Sequence, residues 1–330
     1  MGPPESKNPP PVAAGEGGKS SDFGKRLSRY GNAKSHTAAL LEGIGPERAA
    51  ALGLRWKQIA ECGDWLRFRD YYTVGQVKLA GSNFCRKHLV CSFCAIRRAS
   101  RHMASYLDRY QVIRKERPEI DAHLATLTVR NSHDLPQVLQ HLLDSLRLLN
   151  RRRSRKNQPS IMHRVLGGVY SVELTHDPVT GWHPHVHAIW LSPCPEMHDA
   201  SMTFALRSEW EQITRDSFMC DLRPIRPEED LPADIDPHAK GFAEVFKYAM
   251  KPSELGPDRL AEAYPHLTGK RLIGSFGLFR GVQEPSDFAD DLTGFDELPY
   301  IEFLARFVAG RYQHTGSSHG PVQHQDRGAV

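Results

Sequence analysis

The stretch Gly181-Trp182-His183-Pro184-His185-Val186-His187-Ala188-Ile189-Trp190-Leu191 constrains this chain more than any other. Its latter half is the continuous apolar run of a buried strand. Alternation along that strand puts His185 and His187 on one face and Val186 on the other. Two same-face imidazoles stand about 7 Å apart at their backbones, within reach of one divalent ion, and neutral imidazole is the commonest metal ligand. Histidine pairs also cover half-exposed sheet faces, so the metal reading needs support from elsewhere in the chain.

The preceding segment supplies a candidate third ligand. Gly168 to Leu174 reads as a strand, and the turn Asp177-Pro178-Val179-Thr180-Gly181 hands it to the histidine strand as a hairpin. With an odd number of loop residues, Glu173 falls on the face of His185 and His187; an even loop turns it away. His183 is the alternative, although Pro184 is expected to distort the strand just there.

Six cysteines in a chain without a secretory signal core argue for metal binding rather than disulfides. Cys91-x-x-Cys94 is the tight thiolate hook of structural zinc sites, and Cys85 is the expected third ligand. The fourth is either Cys62, whose following glycine suits a knuckle turn, or His88. Cys62 is preferred, because a cage joining distant positions supplies a small unit with its missing core. A redox pair is the competing reading of Cys91 and Cys94, but no βαβ unit surrounds them.

The chain has 330 residues, 40% of them hydrophobic and 25% charged, enough for one large domain or two modest ones. No apolar run approaches the length of a membrane helix, so a cytoplasmic protein with no membrane partner is expected. The net charge is only +4, but Arg97–Arg101, Arg114–Arg117 and Arg151–Lys156 are local basic clusters. Beside a zinc-type knot they point to nucleic acid rather than to a merely solvated face.

Four regions follow. Residues 1–35, rich in Pro, Gly, Ser and Lys, are expected to be a disordered tail. Residues 36–117 form the basic, zinc-binding segment, with strands near Trp65–Phe68 and Gln76–Leu79 and a helix over Ala95–Arg114. Residues 118–282 carry strands at His123–Arg130, Gly168–Leu174, the histidine stretch, Asp221–Ile225 and Arg271–Phe279, with helices from Leu135, over Met202–Phe218 and over Ala239–Lys251. Residues 283–330 are expected to hold a helix at Leu298–Val308 and a disordered tail.

The helix Gly241-Phe242-Ala243-Glu244-Val245-Phe246-Lys247-Tyr248-Ala249-Met250-Lys251 is the second constellation. Glu244, Tyr248 and Lys251 share one stripe, while Phe242, Val245, Phe246 and Ala249 make the packing side. Such a stripe is usually a salt-bridged surface. In a chain with a histidine metal strand it also reads as a nucleophile with helpers, since a phenol attacks at neutral pH only if a cation favours its phenolate.

Over residues 60 to 280 the chain resembles the rolling-circle replication initiators of small plasmids, a branch of the HUH endonucleases. The resemblance rests on the Cys/Cys-x-x-Cys knot, Thr126–Val129, Gly-Trp-His-Pro-His-Val-His (181–187), Glu244 to Lys251 and Lys270–Ile273. Ser92 departs from the proline often seen in that hook. The resemblance implies an α+β fold, a central antiparallel sheet of about five strands with flanking helices, and an enzyme that nicks and joins single-stranded or hairpin origin DNA. It implies that His185, His187 and a third ligand hold Mg²⁺ or Mn²⁺. Tyr248 would attack to leave a 5′-phosphotyrosine and a 3′-OH primer, with Glu244 activating the terminating water and Lys251 assisting. A host helicase and polymerase would be the partners. A relaxase or transposase of the same chemistry, and a non-catalytic zinc-binding DNA regulator, are the alternatives.

Overall fold

The computed structural model describes residues 19–155, 157–227, 236–248, 255–283 and 287–320, the side chains of 19–22 and 247–248 excepted. Helices α1 (Lys19–Ile44), α2 (Pro46–Ala51) and α3 (Trp56–Ala60) precede the hairpin β1 (Trp65–Tyr71) and β2 (Gln76–Ser82), and α4 (Ser92–Glu116) follows it. Then come β3 (Asp121–Thr128), α5 (Leu135–Arg152), β4 (Gly167–Asp177), β5 (Gly181–Ser192), α6 (Ala200–Thr214) and β6 (Cys220–Pro224). The chain continues with α7 (Ala239–Tyr248), α8 (Gly256–Leu267), β7 (Ile273–Gly277), β8 (Ile301–Val308) and β9 (Arg311–His319). The fold is α+β, as the resemblance implies.

Five strands form an antiparallel sheet in the order β6-β3-β5-β4-β7. Helices cover both of its faces. On one side the apolar stripe of α5 (Val138, Leu142, Leu146, Leu149), capped by Asp134 accepting from the Gln137 amide at 2.9 Å, packs with Trp210 of α6 against Leu127, Val172 and Val186. On the other, Tyr106 and Tyr110 of α4 and Phe242, Val245 and Phe246 of α7 pack on Leu124, Val169, Ile189 and Leu191. That second cover is incomplete. Strand β5 is buried without interruption from Ala188 onward, whereas His183, His185 and His187 are only half-buried between buried neighbours. Among the described residues, the helical cover is therefore thinner at the histidine end of this face. Pro184 does not break the strand: Leu174 pairs with it, and on the other side the β3 ladder stops at Thr128 opposite His185, beyond the missing amide.

The second sheet, β2-β1-β8-β9, joins the two ends of the chain and corrects two expectations. Residues 301–308 are a strand, not a helix, because Ile301, Phe303, Ala305 and Phe307 alternate with Glu302, Leu304 and Arg306, a period of two. Phe303 lies opposite Phe68 and stacks on it at 5.2 Å between centroids. Residues 19–35 are helical, not disordered: Phe23, Leu27 and Tyr30 recur at helical spacing and sit on the core of this sheet. Residues 1–18 and 321–330 lie outside the described residues.

A buried ion cluster ties these parts together. The Asp290 carboxylate accepts from Arg26 at 2.5 Å, from Arg97 at 2.6 Å and from the Leu79 amide at 2.6 Å. Arg97, 2% exposed, also donates to the Phe288 carbonyl and the Tyr30 hydroxyl. Burial pushes Asp290 up, but the charges of Arg97 and Arg26 outweigh it and hold it at about 2. Removing one partner of a buried pair costs roughly 3–5 kcal/mol, so Asp290→Asn is expected to lower stability at neutral pH by that order. A depressed carboxylate stabilises above its unfolded value of about 3.9 and loses that contribution as pH falls. The gap between the two proteins in urea denaturation should therefore close between about pH 4 and pH 2. A gap independent of pH would remove Asp290 from this role.

Candidate active site and metal centres

Hairpin parity decides which candidate third ligand, Glu173 or His183, stands beside the two histidines. Asp177 pairs with Gly181, leaving the three-residue loop Pro178-Val179-Thr180, and the odd count brings Glu173 directly opposite His185. The loop is held by Asp177, whose Oδ1 accepts from the Val179 and Thr180 amides at 2.9 and 2.7 Å. Gly181 has φ +88, and a Cβ there would stand 2.6 Å from the Ser132 carbonyl oxygen, so only glycine closes the turn.

The result is a triad of ligand atoms. Glu173 Oε2 accepts from His185 Nε2 at 2.6 Å and from His187 Nε2 at 3.0 Å. Burial pushes the Glu173 carboxyl up, yet the hydrogen bonds of the two histidines outweigh it and hold it at about 2. Three ligands on one face of an octahedron, each 2.0–2.1 Å from an ion, stand about 3.0 Å apart. The observed spacing fits a small hard cation bound on one side, with its other positions facing the open mouth. His183 is not part of this group; its ring lies 5.1 Å from that of His185 between centroids.

Two supporting residues escape a reading confined to the motif. Thr126, opposite His187 on β3, puts its Oγ1 3.3 Å from His187 Nδ1 and so directs Nε2 towards the carboxylate. Ser171, opposite His187 on β4, donates through Oγ to the Val245 carbonyl of α7 at 2.5 Å. The alternation that exposes the histidines also selects these two positions.

Helix α7 is thereby fastened to the sheet beside the triad. Phe242, Val245 and Phe246 form its buried side and Glu244 is half-buried. Tyr248 is the last residue of the helix, one turn beyond the Val245 carbonyl. Its side chain, and Ala249 and Lys251 entirely, lie outside the described residues.

The cysteine knot closes on Cys62. The sulfurs of Cys62, Cys85, Cys91 and Cys94 lie within 4.8 Å of one another, all four residues buried. Cys94 Sγ stands 3.4 Å from Cys62 Sγ and 3.7 Å from Cys85 Sγ. A tetrahedron with metal–sulfur bonds of about 2.3 Å has edges of about 3.8 Å, so the four fit a single ion. Backbone amides of Cys85 and Cys94 donate to Cys62 Sγ and Cys91 Sγ at 3.2 and 3.5 Å, stabilising thiolate character. Left-handed turns at Gly63 (φ 75) and Arg86 (φ 59) bend the chain around the sulfurs. His88 is turned elsewhere: its Nε2 accepts from Arg98 at 2.7 Å.

The model of the family described as "Replication protein" (Rep_1) matches residues 76–302, which hold the triad, α7 and three of the four cysteines. A Bacillus amyloliquefaciens protein named "Protein rep" is 24% identical over 331 residues, spanning 91% of this chain and 93% of its own. A Bacillus sp protein of the same name is 23% identical over 287 residues, spanning 78% and 88%. No solved structure matches. Among the described residues no helix is long and apolar enough to cross a membrane.

Proposed function

Since the chain belongs to the replication protein family, we propose that it initiates plasmid rolling-circle replication by nicking and rejoining single-stranded or hairpin origin DNA. The observation that carries this reading is the tie between Ser171 and Val245. It fastens the helix that bears Tyr248 to the strand facing the Glu173, His185 and His187 ligand set.

In this reading the triad holds Mg²⁺ or Mn²⁺, which when bound polarises the scissile phosphate and offsets the charge of its transition state. Glu173 and the two imidazoles, held by Thr126 and by each other, fix where that phosphate sits. The Tyr248 phenolate oxygen attacks phosphorus. The bond to the departing 3′ oxygen breaks, that oxygen takes up a proton, and the 5′ phosphate remains on the tyrosine. The free 3′-hydroxyl primes a polymerase while a helicase opens the template. Attack by that or another 3′-hydroxyl reverses the exchange and reseals the strand. Glu244 is the base that activates water when the reaction ends, and Lys251 favours the phenolate. The four cysteines hold Zn²⁺ as a structural cage.

Incubation of the protein with Mn²⁺ and a labelled single-stranded origin oligonucleotide should give a shortened strand and a protein-linked product of equal yield. Tyr248→Phe should give neither. Cleavage by Tyr248→Phe at the wild-type rate would exclude this tyrosine as the nucleophile.

A further inference from the structure

A cleft of about 690 Å³ lies between the cysteine knot and the outer strand β7, and the proposed chemistry does not use it. Its described walls carry Arg86, Lys87, Arg98, Lys270, Arg271 and Arg280, and no aspartate or glutamate. Those six cations exceed the +4 net charge of the whole chain. Like charges converging on one concavity repel one another unless an anion enters, and low-dielectric walls focus their field into it. Tyr106 and Tyr264 add aromatic faces to the same walls.

Sheet register fixes how far this cleft lies from the triad. Ile273 of its wall pairs with Ser171, and Ser171 with His187. Two interstrand steps amount to about 10 Å, and directly paired residues face the same side. A stacked nucleotide advances a strand by about 3.4 Å, so a strand seated at the triad reaches the cleft after about three nucleotides. Between the two, Ser171 holds α7 through the Val245 carbonyl, and Phe246 of that helix stacks on Tyr106 and His102 of the cleft wall at 5.4 and 6.2 Å.

The backbone of the knot sets where several of these charges leave the wall. Arg86 and Lys87 follow Cys85 directly in the loop between the second and third sulfurs, where Arg86 takes the left-handed turn at φ 59. Arg98 donates to His88 across the cleft wall. Guanidinium groups gathered along one cleft suit successive phosphates, each able to accept two parallel hydrogen bonds.

We propose that this cleft is a second binding site for the phosphodiester backbone of the origin, gripping the DNA about three nucleotides from the nick through Arg86, Lys270 and Arg271. The proposal rests on the reading of the chain as an origin-binding replication protein and extends it to residues outside the catalytic stripe.

Arg86→Gly (glycine keeps the left-handed turn), Lys270→Ala and Arg271→Ala, combined in the full zinc-loaded chain, give the test. All three residues are exposed, and circular dichroism and zinc content should match wild type. Fluorescence anisotropy is measured across a salt series without added Mg²⁺ or Mn²⁺, on a single-stranded origin oligonucleotide and on the hairpin form. Each lost phosphate contact removes about 0.7 from the single-strand salt slope, so the triple variant should lose roughly 2 and bind at least about tenfold more weakly at low salt. The substrate that loses more identifies which DNA form enters the cleft. A slope and affinity equal to wild type on both substrates would overturn the proposal. Because no bond is cut in this assay, its result stands whatever Tyr248→Phe shows about nicking.

Discussion

Glu173→Ala should abolish Mn²⁺-dependent nicking, lowering the rate by about a thousandfold or more while leaving the fold intact. An ion that neutralises transition-state charge supplies several kcal/mol, and each 1.36 kcal/mol is tenfold in rate. Glu173 is the only carboxylate of the triad and meets both imidazoles through one oxygen. Its removal leaves two neutral ligands and no anionic one, too little to hold a hard cation against water. Glu173→Gln is the sharper variant, since the shape survives and only the charge goes. Both should raise the Mn²⁺ concentration needed for half-maximal rate. Ser171→Ala touches no ligand atom but frees α7 from β4, so it should lower the maximal rate about tenfold and leave that Mn²⁺ concentration unchanged. The acid side of the rate profile follows as well. With its carboxyl held at about 2, Glu173 stays ionised down to about pH 3, so acidification above that point should not remove activity through this carboxylate. The same depression means its stabilising contribution is full above about pH 4.3 and fades as pH falls towards 2. Wild-type nicking and an unchanged Mn²⁺ requirement in Glu173→Ala would show that the ion sits elsewhere.

What was legible in the sequence follows from the range over which each interaction acts. The face shared by His185 and His187 is a property of adjacent residues, and the position of Glu173 needs only the parity of a three-residue loop, so both could be read along the hairpin. Cys62 was preferred over His88 on the need for a cage that spans the sequence, and the four sulfurs converge as that argument requires. The second sheet was not legible. Strand β8 has its partner β1 at the other end of the chain, and the stacking of Phe303 on Phe68 has no local signature. Alternation in residues 301–307 was present, but an apolar stretch near a terminus reads as readily as a helix. The N-terminal composition masked α1 for a similar reason: three apolar residues at helical spacing suffice when a partner sheet lies ready to bury them. The docking of α7 depended on a hydroxyl of one strand meeting a carbonyl of a distant helix, which no periodicity encodes.

Stripping metal from the cysteine knot is expected to unfold the N-terminal part of the molecule, and this should be the largest stability change a single treatment produces. The four sulfurs sit inside the cluster formed by Tyr30, Leu41, Leu66, Phe68, Val90 and Phe93, so they occupy the middle of that core rather than its edge. Without an ion, hydrogen bonds from Cys62, Cys85 and Cys94 pull the Cys91 thiol well below its ordinary value, leaving a buried negative charge among the four sulfurs. A dication instead satisfies all four sulfurs at once, and structural zinc binding contributes on the order of 10 kcal/mol in small domains. Elemental analysis should give one zinc per chain. A strong chelator should then lower the melting temperature sharply, release four thiols to a colorimetric reagent and weaken DNA binding, because Arg86 and Lys87 hang from the same loop. Cys85→Ser should behave like the chelated protein, whereas Cys194→Ser, outside the knot, should melt like wild type. The competing view of Cys91 and Cys94 as a redox couple predicts the opposite pattern. In that case the purified chain would contain no zinc, the two thiols would react in the folded state, and the chelator would leave the melting curve unmoved.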